Sequence, residues 1–261
     1  MMDLQFVKTK IEDKIAVVTL DNPPVNILTG KVIKEIDDVF TSLESNGDVK
    51  VVVFTTAGTN AFIAGADIKE IGGIQSGIQA MELSRMGHKV LDRIENSMKI
   101  NIAAIHGVCV GGGNELAMAF HMRIAGERAR FGQPEINLGI IPGFGGTQRL
   151  VRLVGLAKAR ELNLTGDMIT AQEALRIGLV NRVVPDGELM KQTMGLAKKI
   201  SSKGGVAVTL CEKAMREGSL RPMADGLKLE AELFGKISET EDMKEGVKAF
   251  LEKRQPKFQD R

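Results

Sequence analysis

Hydrophobic residues follow two spacings along this chain, and each spacing predicts a different element. Near the N-terminus, residues 4–10 and 14–20 alternate or are continuously apolar, which predicts a β-hairpin. Apolar residues at helical spacing then predict a helix over 29–45, which Asn46-Gly47 ends. The β-branched run 49–55 predicts a buried strand after it.

The middle of the chain alternates between the two patterns. Residues 56–65 are expected to form a loop, and 64–67 to open a short helix that ends near Gly72-Gly73. Strands are predicted at 102–110, 123–126, 129–131 and 180–184, and helices at 78–97 and 112–120. This alternation by itself indicates only an α/β protein.

From residue 188 the pattern becomes purely helical. Four amphipathic segments with few β-branched residues are predicted, at 188–202, 205–216, 223–236 and 239–254. The change predicts two parts, an α/β core at 1–187 and a helical region at 188–261.

Composition excludes several classes of protein. The chain has 261 residues, 43% of them hydrophobic and 26% charged, with a net charge of +2, so neither nucleic acid nor an acidic membrane surface is an expected partner. No run is long and apolar enough to predict a membrane span. The N-terminal segment shows neither a signal nor a transit pattern, which predicts a cytoplasmic protein.

The side chains that most often bind metals are sparse. Cys109 and Cys211 lie too far apart for a metal motif and are expected to be isolated thiols. The histidines His88, His106 and His121 have no partners at metal-ligand spacing. We therefore expect no metal site.

The strongest chemical signal lies at 101–148. A predicted strand runs into Gly111-Gly112-Gly113, and a helix that carries Glu115 in its first turn follows. Glycines allow close backbone approach, and the first N–H groups of a helix have no intrahelical acceptor. Such a junction can bind a developing oxyanion, and a second carboxylate, Glu135, suggests acid–base chemistry beside it.

Three familiar motifs are missing from this region. The glycines match neither the dinucleotide pattern G-x-G-x-x-G nor the phosphate-binding pattern G-x-x-x-x-G-K-[ST]. No G-x-S-x-G is present, so a serine nucleophile is not indicated.

Three segments of the sequence resemble signatures of the enoyl-CoA hydratase (crotonase) family, in the family's order. They read AFIAGADIKE, GGGNELAMAF and FGQPEINLGIIPGFGGTQRL, and the likeness extends over about residues 17–258. The resemblance implies a spiral of repeated ββα turns. It also implies that the C-terminal helices assemble the chain into a homotrimer, usually paired into a hexamer; the alternative is a helical cap with no oligomeric role.

The resemblance further implies the catalytic residues. The two oxyanion-hole amides map onto Ala66 and Gly112, and the two carboxylates onto Glu115 and Glu135. Hydration needs a base toward water and an acid toward Cα, and we assign Glu115 to the first role and Glu135 to the second. The acid role requires that burial or the neighbouring charge raise the pKa of Glu135.

The remaining implied residues bind the coenzyme A ester, which is the substrate; no separate cofactor is expected. They are Val25, Ile27, Ala64, Gly65, Asp67, Ile68, Lys69, Gly111, Pro142 and Gly143. A late cation of a neighbouring subunit, from Lys253, Arg254 and Lys257, is expected near the phosphates. The amides of 142–144, after a short apolar strand, are expected to help hold the water.

The implied reaction is the reversible syn addition of water to a trans-2-enoyl-CoA, as in fatty acid β-oxidation. An enoyl-CoA isomerase would typically keep one carboxylate, whereas a dienoyl- or cyclic-dienoyl-CoA hydratase stays open. An alternative of a different class is an RNA-binding or non-catalytic family member. RNA binding would need a lysine stripe on the first helix, where Lys31 and Lys34 are offset by acidic neighbours.

Two residues depart from the family pattern. Phe144 stands where many relatives have a small residue, which leaves pocket width and acyl-chain length open. Asn101 replaces a usual proline, a change expected to be structural.

Overall fold

The computed structural model describes residues 4–261, which divide into two compact units. One ends at Gly195, and the other is Leu196–Arg261. The division falls within a helix, Leu189–Ser201, a few residues after the boundary predicted at 187/188. That predicted boundary stays a prediction.

The strands of the described residues belong to the first unit. In chain order they are β1 Val7–Glu12, β2 Ile15–Leu20, β3 Val51–Thr56, β4 Ala61–Ile63, β5 Ile100–Ile105, β6 Val108–Val110, β7 Met122–Gly126, β8 Arg130–Gly132, β9 Ile169–Thr170 and β10 Arg182–Val184.

The helices alternate with these strands and then continue alone. They are α1 Gly30–Glu44, α2 Ile68–Gly72, α3 Gly77–Glu95, α4 Gly112–Ala119, α5 Gly146–Val154, α6 Leu156–Thr165, α7 Ala171–Arg176, α8 Leu189–Ser201, α9 Gly205–Gly218, α10 Met223–Ser238 and α11 Glu241–Leu251. Short 3₁₀ helices occupy Pro134–Leu138 and Asp186–Glu188.

Two sheets share the strands in a regular alternation. The larger has the order β1-β2-β3-β5-β7-β10 and the smaller β4-β6-β8-β9, with parallel pairing except at β1–β2 and β8–β9. Each of the pairs β3–β4, β5–β6 and β7–β8 places its first strand in the larger sheet and its second in the smaller one. A helix or helical turn follows each pair, so the predicted spiral of ββα turns is confirmed.

Three predicted elements are wrong in detail. The loop predicted at 56–65 contains β4, and the strand predicted at 102–110 is two strands in different sheets. The break lies at Gly107, whose φ is 58° and whose added Cβ would lie 2.2 Å from the Asn60 carbonyl oxygen. Only glycine fits this corner. The short apolar strand expected before Pro142 is replaced by the 3₁₀ helix Pro134–Leu138.

Local sequence explains where the main helices begin. The Thr29 hydroxyl accepts from the Val32 N–H at 3.2 Å, and the Ser76 hydroxyl accepts from the Gln79 N–H at 3.2 Å. These N-caps satisfy backbone donors at the first turns of α1 and α3. The helix predicted over 29–45 is therefore confirmed, and the structure adds its N-cap.

The core of the first unit packs aromatic rings between the sheets and the helices. Phe54 lies 5.8 Å from Phe62 and 5.3 Å from Phe120, measured between ring centroids. Asn101 is fully buried. Its side chain donates to the Ile94 carbonyl at 2.7 Å and accepts from the His121 N–H at 2.7 Å. The asparagine that replaces the usual proline thus links α3 to the residue that follows the end of α4 through hydrogen bonds.

The second unit is helical. In it α9 packs against α10, and α10 contacts α11. Among residues 4–261, no helix is long and apolar enough to cross a membrane.

Candidate active site

A cavity of about 820 Å³ opens in the first unit. Its walls come from the β4–α2 loop, helices α2 and α3, the start of α4, the 3₁₀ helix Pro134–Leu138 and the loop that precedes α5. Segments distant in sequence thus meet here, and several of them lie where a strand of the spiral gives way to a helix.

Two main-chain amides lie side by side in this cavity. A Cβ added to Gly112 would lie 3.6 Å from the Ala66 nitrogen, so the two residues are neighbours. The neighbours of Ala66 are bonded to Leu28, since the Leu28 N–H donates to the Gly65 carbonyl and the Asp67 N–H to the Leu28 carbonyl. Within 4–261, neither the Ala66 nor the Gly112 N–H donates to a protein acceptor. Paired free donors of this kind can bind one oxyanion.

The Glu115 side chain is held by the main chain of a distant loop. It is 2% exposed, and its Oε1 accepts from the Phe144 N–H at 2.8 Å and from the Gly146 N–H at 2.6 Å. Because both bonds go to Oε1, the second carboxylate oxygen remains available to a water. The Phe144 N–H is one of the amides that we expected to hold the water. In the structure it binds the Glu115 carboxylate instead.

Glu135 is held differently. Glu135 as a whole is half-buried in the first turn of the 3₁₀ helix. Its Oε2 atom, however, is buried without a hydrogen-bond partner among the described residues. Its Oε1 would lie 3.0 Å from a Cβ on Gly111, a residue whose φ is 54°. Glu135 therefore lies against the glycine turn that opens α4.

Burial raises the pKa of both carboxyl groups. Burial raises the pKa of Glu115 to about 7, against the opposing effect of the Gly146 N–H, and the charge of Glu135 adds to the rise. Burial also raises the pKa of Glu135. A carboxyl group whose pKa lies near 7, as that of Glu115 does, can exchange a proton near neutral pH, as acid–base chemistry requires.

A buried amide pair lies behind Glu115. The Asn114 Nδ2 donates to the Gln133 Oε1 at 2.8 Å, while the Gln133 Nε2 has no partner within the described chain. A Cβ on Gly146 would lie 2.5 Å from that Nε2 and 3.0 Å from the Glu115 Oε1. Gly146 is therefore required by the close approach of both groups.

Arg149 holds the loop from the other side. It donates to the Phe144 carbonyl at 3.0 Å and pairs with Glu95 and Asp92 on α3, at 2.7 and 2.6 Å. Its positive charge also lowers the pKa of Glu115, against the effect of burial.

Most of the predicted site residues meet in the cavity. Its lining includes Ala64, Gly65, Ala66, Asp67, Ile68, Gly111, Gly112, Glu115, Glu135, Pro142 and Gly143. Val25, Ile27 and Lys69 lie outside the lining, although the Ala64 N–H donates to the Val25 carbonyl. Among the late cations, Arg254 is bonded to Glu245 and Glu252. The individual roles of all these residues stay predictions.

Sequence reasoning missed the residues that hold Glu115. The glycines before α5 were the only signal for the loop, and Gly145 indeed has a φ of 106°. Nothing local connects Arg149 or the Gly146 N–H to a carboxylate some thirty residues earlier. Within the described residues, no group of three or more histidine, cysteine or acidic side chains is placed to hold a metal ion.

Comparison with known proteins gives a consistent result. The family model described as enoyl-CoA hydratase/isomerase matches residues 10–261. A short-chain-enoyl-CoA hydratase of Clostridium acetobutylicum is 45% identical over 97% of each chain, and a crotonyl-CoA hydratase of Syntrophomonas wolfei is 44% identical over 95% of each. A crystal structure of enoyl-CoA hydratase from Bacillus anthracis superposes with a TM-score of 0.94 at 37% identity, covering 98% of this chain and all of the other.

Proposed function

This chain belongs to the enoyl-CoA hydratase/isomerase family, and we propose that it adds water reversibly to the double bond of short-chain trans-2-enoyl-CoA esters. It is an enoyl-CoA hydratase, an enzyme of the hydro-lyase type. The observation that carries the mechanism is the meeting of Glu115, Glu135 and two free amides in one cavity.

In the proposed mechanism the thioester carbonyl accepts from the Ala66 and Gly112 N–H groups. Both donors strengthen as negative charge moves onto that oxygen, so they stabilise the enolate more than the ground state. Removing one such donor typically raises a barrier by about 3–4 kcal/mol. The α4 dipole adds positive potential at Gly112.

The proton steps divide between the glutamates. Ionised Glu115 takes a proton from water as the oxygen bonds to Cβ, and the alkene electrons move onto the thioester oxygen. Protonated Glu135 then gives its proton to Cα as the enolate returns to the thioester. Both groups act from one side of the alkene, which makes the addition syn, and proton exchange restores the starting state.

The short-chain preference is supported by the cavity wall. Phe144 is 8% exposed and lines the cavity, and a Cβ on Gly87 would lie 2.2 Å from its ring. The ring is thus fixed against α3, where a small residue would leave room for a longer acyl chain. Two relatives named for short-chain and crotonyl substrates agree with this restriction.

The proposal includes the setting of the enzyme. We propose a homotrimer or homohexamer in the cytoplasm that acts in fatty acid β-oxidation with no cofactor beyond the coenzyme A of its substrate. Exposed apolar side chains of the second unit support self-association; they include Met223, Phe234, Phe250 and Leu251, each at least 70% exposed.

Nucleic-acid binding is not proposed. On α1, Lys34 pairs with Asp38 at 2.5 Å, and the Lys31 ammonium lies 5.5 Å from the Phe6 ring centroid. These contacts leave no continuous basic stripe on that helix.

The test measures loss of the enoyl-thioester absorbance across a series of enoyl-CoA chain lengths. We expect the highest kcat/KM for crotonyl-CoA and a fall of at least about tenfold for long chains, as a few unaccommodated methylenes predict. Phe144→Ala should raise long-chain activity relative to crotonyl-CoA. Leu164→Ala, at an exposed apolar side chain outside the cavity lining, is the matched control. No hydration of any chain length would contradict the proposed function, and an unchanged preference in Phe144→Ala would contradict the short-chain part.

A further inference from the structure

Helix α3 presents two polar side chains to the loop that holds Glu115. Ser84 and His88 are four residues apart, so they lie on one face of the helix, and both are half-buried and line the cavity. The Ser84 hydroxyl donates to the Gly143 carbonyl at 2.5 Å, and its oxygen lies 3.4 Å from the His88 Nε2.

The directions of these bonds follow from the available hydrogens. Ser84 has one hydroxyl hydrogen, and a carbonyl only accepts, so that hydrogen goes to Gly143. The Ser84 oxygen must then accept from His88, whose Nε2 carries the proton. The longer distance makes this second bond the weaker one.

The Gly143 carbonyl belongs to the same planar peptide as the Phe144 N–H. That N–H donates to the Glu115 Oε1 at 2.8 Å. Donors therefore run in one direction, from His88 through Ser84 and the peptide to the carboxylate. Hydrogen bonds arranged head to tail polarise one another, so each link strengthens the next.

We propose that Ser84, supported by His88, is a positioning residue that orients the 143–144 peptide and strengthens its N–H bond to Glu115. This inference rests on the proposed function, because it concerns the residue assigned as the base. Ser84 acts through the peptide and touches none of the reacting atoms.

Packing alone does not account for the contact. The Phe144 ring against Gly87 already joins α3 to the loop, and Arg149 joins the Phe144 carbonyl to Asp92 and Glu95 on the same helix. The Ser84 bond adds a polar link to the one peptide whose N–H holds the carboxylate. A packing role predicts lost stability with an unchanged pH profile, whereas a positioning role predicts a changed profile.

The sign of that change follows from the groups around Glu115. Glu135 on the 3₁₀ helix opposes its ionisation, while Arg149 on α5 and the N–H groups of Phe144 and Gly146 favour it. His88 on α3 acts only through Ser84. Weakening the Phe144 N–H removes support for the carboxylate, so the pKa of Glu115 should rise, and activity that needs the ionised form should begin at a higher pH.

The experiment compares crotonyl-CoA hydration by Ser84→Ala and Ser84→Thr with the unmodified protein. For Ser84→Ala we expect kcat to fall about three- to tenfold, the effect of one ordinary hydrogen bond, with KM within about twofold. The acid limb of the kcat–pH profile should move to higher pH. Ser84→Thr keeps the hydroxyl and should restore both. Ser76→Ala removes an exposed N-cap hydroxyl from the same helix and serves as the matched control.

A double-mutant cycle tests the His88 link. His88→Leu should lower kcat about twofold in the unmodified chain, as a weak bond predicts, and should add nothing in a Ser84→Ala background. An unmoved acid limb with normal kcat in Ser84→Ala, an equal loss in Ser76→Ala, or a Ser84→Thr variant no better than alanine would each overturn the inference. Glu115→Gln separates the two proposals. Near-normal turnover in that variant would contradict the assignment of Glu115 as the base. If Glu115→Gln is inactive but Ser84→Ala is unaffected, only the positioning role of Ser84 is contradicted.

Discussion

The regions around Glu115 and Glu135 contrast in how they hold a carboxyl group. The Glu115 region joins α4 to the loop before α5, and two N–H groups fix one oxygen of its carboxyl. The Glu135 region is a short 3₁₀ helix whose carboxyl has a buried oxygen without a protein partner. One group is fixed by the main chain, and the other has unused hydrogen-bonding capacity.

This difference bears on the division of labour between them. N–H donors stabilise a carboxylate, which suits a base that must be ionised when water binds. At Glu135 one carboxyl oxygen is buried without a partner and burial raises the pKa, which favours the neutral form that an acid needs. The main-chain donors favour ionised Glu115, whereas burial raises its pKa to about 7. The assignment of Glu115 to water and Glu135 to Cα therefore stays a prediction, and three predictions test it.

The largest effect should come from removing either carboxyl. Glu115→Gln and Glu135→Gln are each expected to lower kcat by about 10²–10⁴, the usual contribution of one acid or base. The amides keep the shapes of the side chains, so binding of a coenzyme A ester, measured by calorimetry, should survive. Near-normal turnover in either variant would remove that glutamate from the mechanism.

A smaller effect should follow from moving each carboxyl without deleting it. An added methyl at Gly146 meets the Gln133 Nε2 and the Glu115 Oε1, whereas one at Gly111 meets the Glu135 Oε1. Both Gly146→Ala and Gly111→Ala should lower kcat roughly 10- to 100-fold, as displacements near 1 Å do.

The pH profile distinguishes these two glycine variants. Gly146→Ala disturbs the bonds that favour ionised Glu115 and should move the acid limb of kcat to higher pH. Gly111→Ala displaces Glu135 and leaves the N–H groups that hold Glu115, so it should move that limb less. Gly47→Ala, at a glycine with open space around it, is the matched control. Identical pH profiles for Gly146→Ala and Gly111→Ala would contradict the claim that the two regions hold their carboxyl groups differently.

The smallest effect concerns stability. Because the folded pKa of Glu115 is about 7 and its ordinary value is 4.5, ionising it opposes folding as the pH rises between those values. Glu115→Gln cannot ionise, so its free energy of unfolding should exceed that of the unmodified chain by on the order of 1–3 kcal/mol at pH 8. The gain should vanish near pH 4.

Urea denaturation at both pH values measures this difference. Glu82→Gln, which removes an exposed carboxylate outside the cavity, is the control. A gain for Glu115→Gln that is equal at the two pH values would mean that burial does not oppose its ionisation.

Much of the architecture was predictable because it depends on local pattern. The helix over 29–45, the C-terminal helices and the junction from Gly111 to Glu115 all follow from spacing, caps and glycines. The division of residues 102–110 into two strands was not predictable. In the sequence His106-Gly107 continues one apolar run, and only the structure shows the Asn60 carbonyl next to Gly107. A bend that depends on contact with a distant part of the backbone is not visible in the local pattern of residues.

The sequence by itself determined which residue types stand at each β-to-α junction, and with them the two glutamates, the glycine turns and the family resemblance. Only the tertiary structure decided which of these segments contact and hydrogen-bond one another. The N–H groups of Phe144 and Gly146 reach Glu115 across about thirty residues, and Ser84 reaches Gly143 across 59. The physical reason is that the spiral stacks its turns, so the partners of a buried polar group come from the next turn and not from its neighbours along the chain.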